Sequence, residues 1–228
     1  MSTGTPSSSM GAGLAANQPC PIVDVTATVL RSSADAGDLD SSADTLLIQI
    51  TDEDGRVGIG EADTASLAGQ ALVHMADVFR WNAGLRGALI GADPFHTRAL
   101  WQRMAERTTW QGPSGIARQT IAGLDMALHD LAAKQLDRPV YDLLGGAVRE
   151  HIRPYATVYA GAAAGRSLTE LMDVTLGQMA EAVRMGFRAV KMEVLFDDAA
   201  NDRQIVECIR EGRALLGGDI TMLVDFGY

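Results

Sequence analysis

The chain has 228 residues, 47% of them hydrophobic, material for one large or two small domains at roughly 100–200 residues each. Lys and Arg number 19 against 29 Asp and Glu, a net charge of −10, and a surface of that sign repels phosphate backbones and anionic lipid, which argues against nucleic-acid and membrane partners. No apolar run reaches the ~18–20 residues that span a bilayer, the N-terminus lacks the basic start and apolar stretch of a signal peptide, and Cys20 and Cys208 form neither a metal-ligand spacing nor a disulfide framework, so the expectation is a soluble cytoplasmic protein without structural zinc.

Residues 1–21 carry no charged side chain and are rich in Ser, Gly, Ala and Thr; such a composition does not offset the entropy of ordering and predicts a disordered tail. Ile22, Val23, Val25, Val29 and Leu30 then read as a strand, and Thr45 to Ile50 as a second. The turn Asp52-Glu53-Asp54-Gly55 closes a hairpin onto Val57 to Glu61, which makes a small antiparallel sheet. Residues 66–136 read as helical with breaks. The clearest piece is Ile116 to Leu136, where Ile121, Leu124, Leu128 and Leu131 recur at three- and four-residue steps. Gly145-Gly146 ends this region.

Strands and helices then alternate: Tyr155 to Tyr159, a helix over about 168–185, Arg188 to Leu195, a helix over about 202–215, and Ile220 to Val224. A strand recurring about every 33 residues with an amphipathic helix between is the βα unit, whose right-handed crossover sets successive strands parallel and adjacent. The predicted organisation is a tail (1–21), an α+β domain (22–146) and the first three strands of a parallel domain (147–228).

In parallel α/β folds functional groups gather at the carboxyl ends of the strands. That rule selects Tyr159, then Lys191 and Glu193, then Asp225. Lys191 and Glu193 are two apart, so both lie on one face of a strand with Met192 on the other. They are either a neighbour ion pair on a solvated strand or a cation and an anion held together in a site; the apolar run from Ala189 to Phe196 around them suggests a buried strand. Asp225 reads equally as a loop or N-cap carboxylate, common after strands, or as a metal ligand. His74, His96, His129 and His151 have no second ligand at metal spacing and read as surface or packing residues. Trp81, Trp101 and Trp110 read as core, and Asp125 with His129 and Asp130 with Lys134 as i,i+4 helix pairs.

Five segments together resemble the mandelate racemase and muconate lactonizing group of the enolase superfamily: Gly58-Ile59-Gly60-Glu61, Leu89 to Pro94, Gly123 to Leu131, Pro139 to Gly146 and Gly186 to Met192. The resemblance runs from about Ile22 through nearly the whole chain. It implies an α+β capping domain followed by an incomplete (β/α) TIM-type barrel, with magnesium at the barrel mouth. It also implies chemistry that removes the proton alpha to the carboxylate of a sugar acid or 2-hydroxy acid. Such a proton is very weakly acidic, so the enediolate it leaves needs a hard cation on the carboxylate oxygens. Asp225 matches the family's first magnesium ligand; the others belong to later strands. Ser32 to Asp44, with Asp35 and Asp38, matches the segment that closes over the barrel mouth and helps choose the substrate, and its polar, Gly-containing composition suits a mobile lid. The same residues read otherwise as an exposed connection. The resemblance further implies either a homo-oligomer or a missing C-terminal half.

Two departures from the family pattern sharpen the expectation. The family's second barrel strand commonly ends Lys-x-Lys, with the second lysine as base; here Lys191 fits the first position and Glu193 stands in the second. A carboxylate paired with Lys191 is a poorer base, which favours the pairing role for Glu193. The position two after the metal Asp, often Asn, is Gly227. With no base on this face, a racemase needing bases on both faces of the alpha carbon is disfavoured against a dehydratase that takes its base from the other side. The alternatives are a racemase or epimerase of the same family, and a catalytically silent truncated member that acts through a partner; the 228-residue chain alone is expected to be inactive.

Overall fold

The computed structural model describes residues 20–31, 44–196 and 199–227. The chain forms two compact units that part at Gly146 and Ala147.

In the first unit β1 (Ile22–Arg31), β2 (Asp44–Asp52) and β3 (Val57–Ala62) form an antiparallel sheet in that order. Five helices follow: α1 (Ser66–His74), α2 (Arg86–Leu89), α3 (Thr97–Arg107), α4 (Ile116–Gln135) and α5 (Val140–Leu143). Alternation along β2 turns Leu46, Ile48 and Ile50 inward, and they form one core with Ile121, Leu124, Leu128 and Leu131 of α4. The Gly-x-Gly of β3 has a steric reason. A Cβ on Gly58 would collide with the carbonyl oxygen of Ala127, and one on Gly60 with that of Gly123, so β3 meets the backbone of α4 directly.

The free edge of β3 is closed by the same helix. The Ile59 N–H donates to Asp130 Oδ2 at 2.8 Å, and Lys134 Nζ donates to the Val57 carbonyl at 2.7 Å and to Asp130 at 2.7 Å, which removes a template for further strand pairing. At the hairpin turn Asp52, 1% exposed, accepts from the Arg56 N–H at 2.8 Å, from Arg56 Nη1 at 3.2 Å and from Gln135 Nε2 at 2.9 Å. Gln135 also donates to the Cys20 carbonyl at 2.8 Å, tying the start of β1 to the end of α4.

The tryptophans are not core. Trp81 and Trp110 are 51% and 69% exposed; Trp110 meets Phe79 edge to face at 4.7 Å, and Trp101 lies under the Arg118 guanidinium at 4.8 Å.

In the second unit β4 (Ala156–Val158), β5 (Ala189–Glu193) and β6 (Thr221–Asp225) are parallel in that order. Helix α6 (Leu168–Arg184) connects the first two and α7 (Asp202–Leu216) the last two. Each helix begins with a capping box, Ser167 with Glu170 and Asn201 with Gln204. Val158, Val190 and Met192 pack with Leu171, Met179, Cys208 and Leu216, so both helices cover one face of this sheet.

Candidate functional site

The parallel register decides which side chains share a face. Thr157, Lys191 and Leu223 stand side by side across the three strands, and Glu193 stands beside Asp225 one step further on. Side chains alternate along a strand, so these five project from the face opposite the one that Met192 buries against the helices. Lys191 Nζ donates to Asp225 Oδ2 at 2.7 Å and pairs with Glu193 Oε1 at 3.1 Å. The ammonium thus bridges two carboxylates at the carboxyl ends of two neighbouring strands. The Lys191, Glu193 and Asp225 side chains are 20%, 21% and 37% exposed.

The hydrogen bonds to Asp225 and then to Glu193 raise the Lys191 pKa well above an ordinary lysine's, so Lys191 is an ammonium throughout the physiological range. The hydrogen bond from Lys191, seconded by the Gly227 N–H on Asp225 Oδ1 at 3.0 Å, holds the Asp225 carboxyl below the usual carboxylate range. Gly227 is in the left-handed region with φ 76. Its backbone brings the N–H to Asp225, where an L residue with a bulkier side chain is strained. The Gly in place of Asn therefore keeps a donor on the carboxylate while adding no side chain.

Asp225 offers hard oxygen donors of the type magnesium takes, and magnesium is commonly held by only one or two carboxylates, with water completing the shell. Asp225 fits as one ligand. No group of three His, Cys, Asp or Glu side chains gathers at metal distance among the described residues.

Tyr159 follows β4, and its N–H donates to Gln178 Oε1 of α6 at 3.0 Å; among the described residues no hydrogen bond joins its side chain to Lys191, Glu193 or Asp225. Asp35 and Asp38 lie outside the described residues, as does the segment expected to act as a lid. Spacing along one strand pairs Lys191 with Glu193 and does not reveal the bond to Asp225. Its signal is the strand register, which sequence spacing within one strand does not contain.

The first unit has a groove of about 460 Å³ bordered by β3, α4 and α5, lined by Ile59, Met126, His129 and Leu144 among others. Asp125 at its wall is pushed above the usual carboxylate range by burial, with His129 opposing, and His129 Nδ1 lies 2.8 Å from the Asp125 carbonyl oxygen.

Comparison with known proteins places these features in a family. Residues 25–145 match the family model for the mandelate racemase / muconate lactonizing enzyme N-terminal domain. The chain is 34% identical over 181 residues to 3,6-anhydro-alpha-L-galactonate cycloisomerase of Streptomyces coelicolor, covering 79% of this chain and 45% of that protein. It is 30% identical over 179 residues to arabinonate dehydratase of Saccharolobus solfataricus, covering 78% and 43%. The crystal structure of a racemase from Streptomyces coelicolor A3(2) with bound magnesium superposes with a TM-score of 0.70 at 26% identity, over 90% of this chain and 54% of that one. The chain therefore spans less than half the length of these two curated relatives. No described helix is long and apolar enough to cross a membrane.

Proposed function

The chain belongs to the mandelate racemase and muconate lactonizing enzyme family, and we propose that it is part of a magnesium-dependent enzyme that removes the proton alpha to the carboxylate of a sugar acid, as a dehydratase. Residues 22–146 are then the capping domain, and 147–228 the first three strands of the (β/α) barrel. The observation that carries the reading is the Lys191 ammonium set between Glu193 and Asp225 at the strand ends. The relatives that act on sugar acids, a cycloisomerase and a dehydratase among them, support the substrate class.

Asp225 would hold the magnesium ion, which when bound polarises the substrate carboxylate and offsets the charge that develops as the proton leaves. Lys191, paired with Glu193, gives a charged hydrogen bond to a substrate oxygen. Glu193 holds Lys191 in place. Tyr159, with Asp35 and Asp38, borders the substrate. This face then lacks a base, so the proton leaves from the opposite face, to a residue outside the described ones. Loss of that proton together with the neighbouring hydroxyl as water yields an enol, which becomes a 2-oxo acid. A racemase would need a base here, and the paired Glu193 supplies none.

The test is a panel of sugar acids with magnesium and the natural protein in D2O, followed by NMR. The reading expects a 2-oxo-3-deoxy acid to appear. Deuterium entering the alpha position with inversion and no loss of water would make the protein a racemase. At saturating magnesium Glu193→Gln is expected to slow turnover by less than about tenfold; a loss within the ~10²–10⁴-fold range of general base catalysis would make Glu193 the base.

A further inference from the structure

Resting on Asp225 as a magnesium ligand, we propose that Lys191 and Glu193 form a displacement pair: Lys191 occupies the Asp225 carboxylate until the metal takes it, and Glu193 is the positioning residue that receives the displaced ammonium. Three observations carry this. Lys191 Nζ already engages both carboxylates, Asp225 at 2.7 Å and Glu193 at 3.1 Å, so the transfer from one to the other needs little movement. All three side chains lie on the same face of two paired strands, with Glu193 and Asp225 in direct register. Their charges sum to −1, so a divalent ion brings the trio to +1. A neutral residue at 193 would instead leave Lys191 and the ion facing each other across one carboxylate, with a sum of +2. Glu193 thus lets the site hold a lysine and a metal together.

A merely structural ion pair behaves differently. A pair whose charges do not act on the Asp225 carboxylate leaves metal affinity unchanged when either partner is lost. The displacement pair makes the two variants move it in opposite directions.

Magnesium titration of the full-length natural protein by calorimetry separates these. Glu193→Gln is expected to weaken binding roughly tenfold, the scale of one unit charge acting on a divalent ion a few ångströms away in a water-accessible site. Lys191→Met is expected to tighten it by about the same factor, the double variant to fall within about threefold of the wild type, and Glu193→Asp to keep most of the affinity. Metal-free circular dichroism and unfolding midpoints confirm that each variant is folded. Both single variants weakening alike, or Glu193→Gln binding as the wild type does, overturns the displacement pair while Asp225 remains a ligand. Wild-type protein that binds no magnesium, or Asp225→Ala that binds as tightly, overturns the reading of Asp225 and the displacement pair with it.

Discussion

One cluster of charges in each unit shows a different use. In the first, Asp130, Lys134 and Asp52 are spent on backbone: they close the edge of β3 and the hairpin turn, and each contact joins β3 or the turn to α4 or to a neighbouring residue. In the second, Lys191, Glu193 and Asp225 bind mainly one another, on the face of the sheet opposite α6 and α7. Satisfied backbone groups are what a small sheet needs for stability. Charges held together at strand ends contribute little to packing, and in an α/β fold that is where ligands bind. The contrast separates a scaffold from the candidate site within one chain.

Substitutions can break that contrast from either side. The largest effect is expected at Gly60→Val, where the new side chain meets the Gly123 carbonyl; overpacking typically costs about 1–3 kcal/mol, this collision with unyielding backbone costs more, and the readout is loss of cooperative unfolding of the first unit. Leu124→Ala, in the fully buried seam of α4, should cost about 2–5 kcal/mol in denaturant titration. Asp52→Ala leaves the Arg56 N–H and the Gln135 amide without their acceptor and should cost about 2–3 kcal/mol.

The pH dependence at Asp52 has a definite sign. Burial pushes its carboxyl up, but the Arg56 N–H, the Arg56 guanidinium and the Gln135 amide together outweigh burial and hold it below the usual range. A carboxylate lowered in the folded state stabilises above the ordinary value of about 4, and that stabilisation is lost as the pH falls through the folded value. The stability gap between wild type and Asp52→Asn should therefore shrink as the pH is lowered from 7 towards 3.

Ser167→Ala removes one half of the α6 capping box and should cost about 1 kcal/mol. The smallest effect on stability is expected at Asp225→Ala, because Lys191 keeps Glu193; an unfolding midpoint that drops as far as that of Asp52→Ala would mean that the trio is scaffold after all.

Much of this division was legible in the sequence. The three- and four-residue steps of Ile121, Leu124, Leu128 and Leu131 point to the buried face of α4, and the alternation in Leu46, Ile48 and Ile50 to that of β2, because both reflect periodicities of a single element. The spacing of Lys191 and Glu193 likewise places them on one face. The bond from Lys191 to Asp225 was hidden, since it depends on the register between strands and not on spacing along one. The exposure of Trp81 and Trp110 was hidden for a related reason. Whether an aromatic residue lies inside depends on its tertiary neighbours, as with Trp110, which meets Phe79 edge to face at the surface. The roles of Asp35 and Asp38 rest on family resemblance, which no periodicity in Ser32 to Asp44 reinforces.

The central claim, that the strand ends of the second unit hold a metal site at Asp225, is tested most directly by a crystal structure of the natural protein soaked in manganese as an anomalous stand-in for magnesium. The account predicts an anomalous peak within coordination distance of the Asp225 carboxylate, with Lys191 Nζ now bonded to Glu193. A map with no peak at Asp225, and Lys191 still joined to it at saturating manganese, would contradict the account.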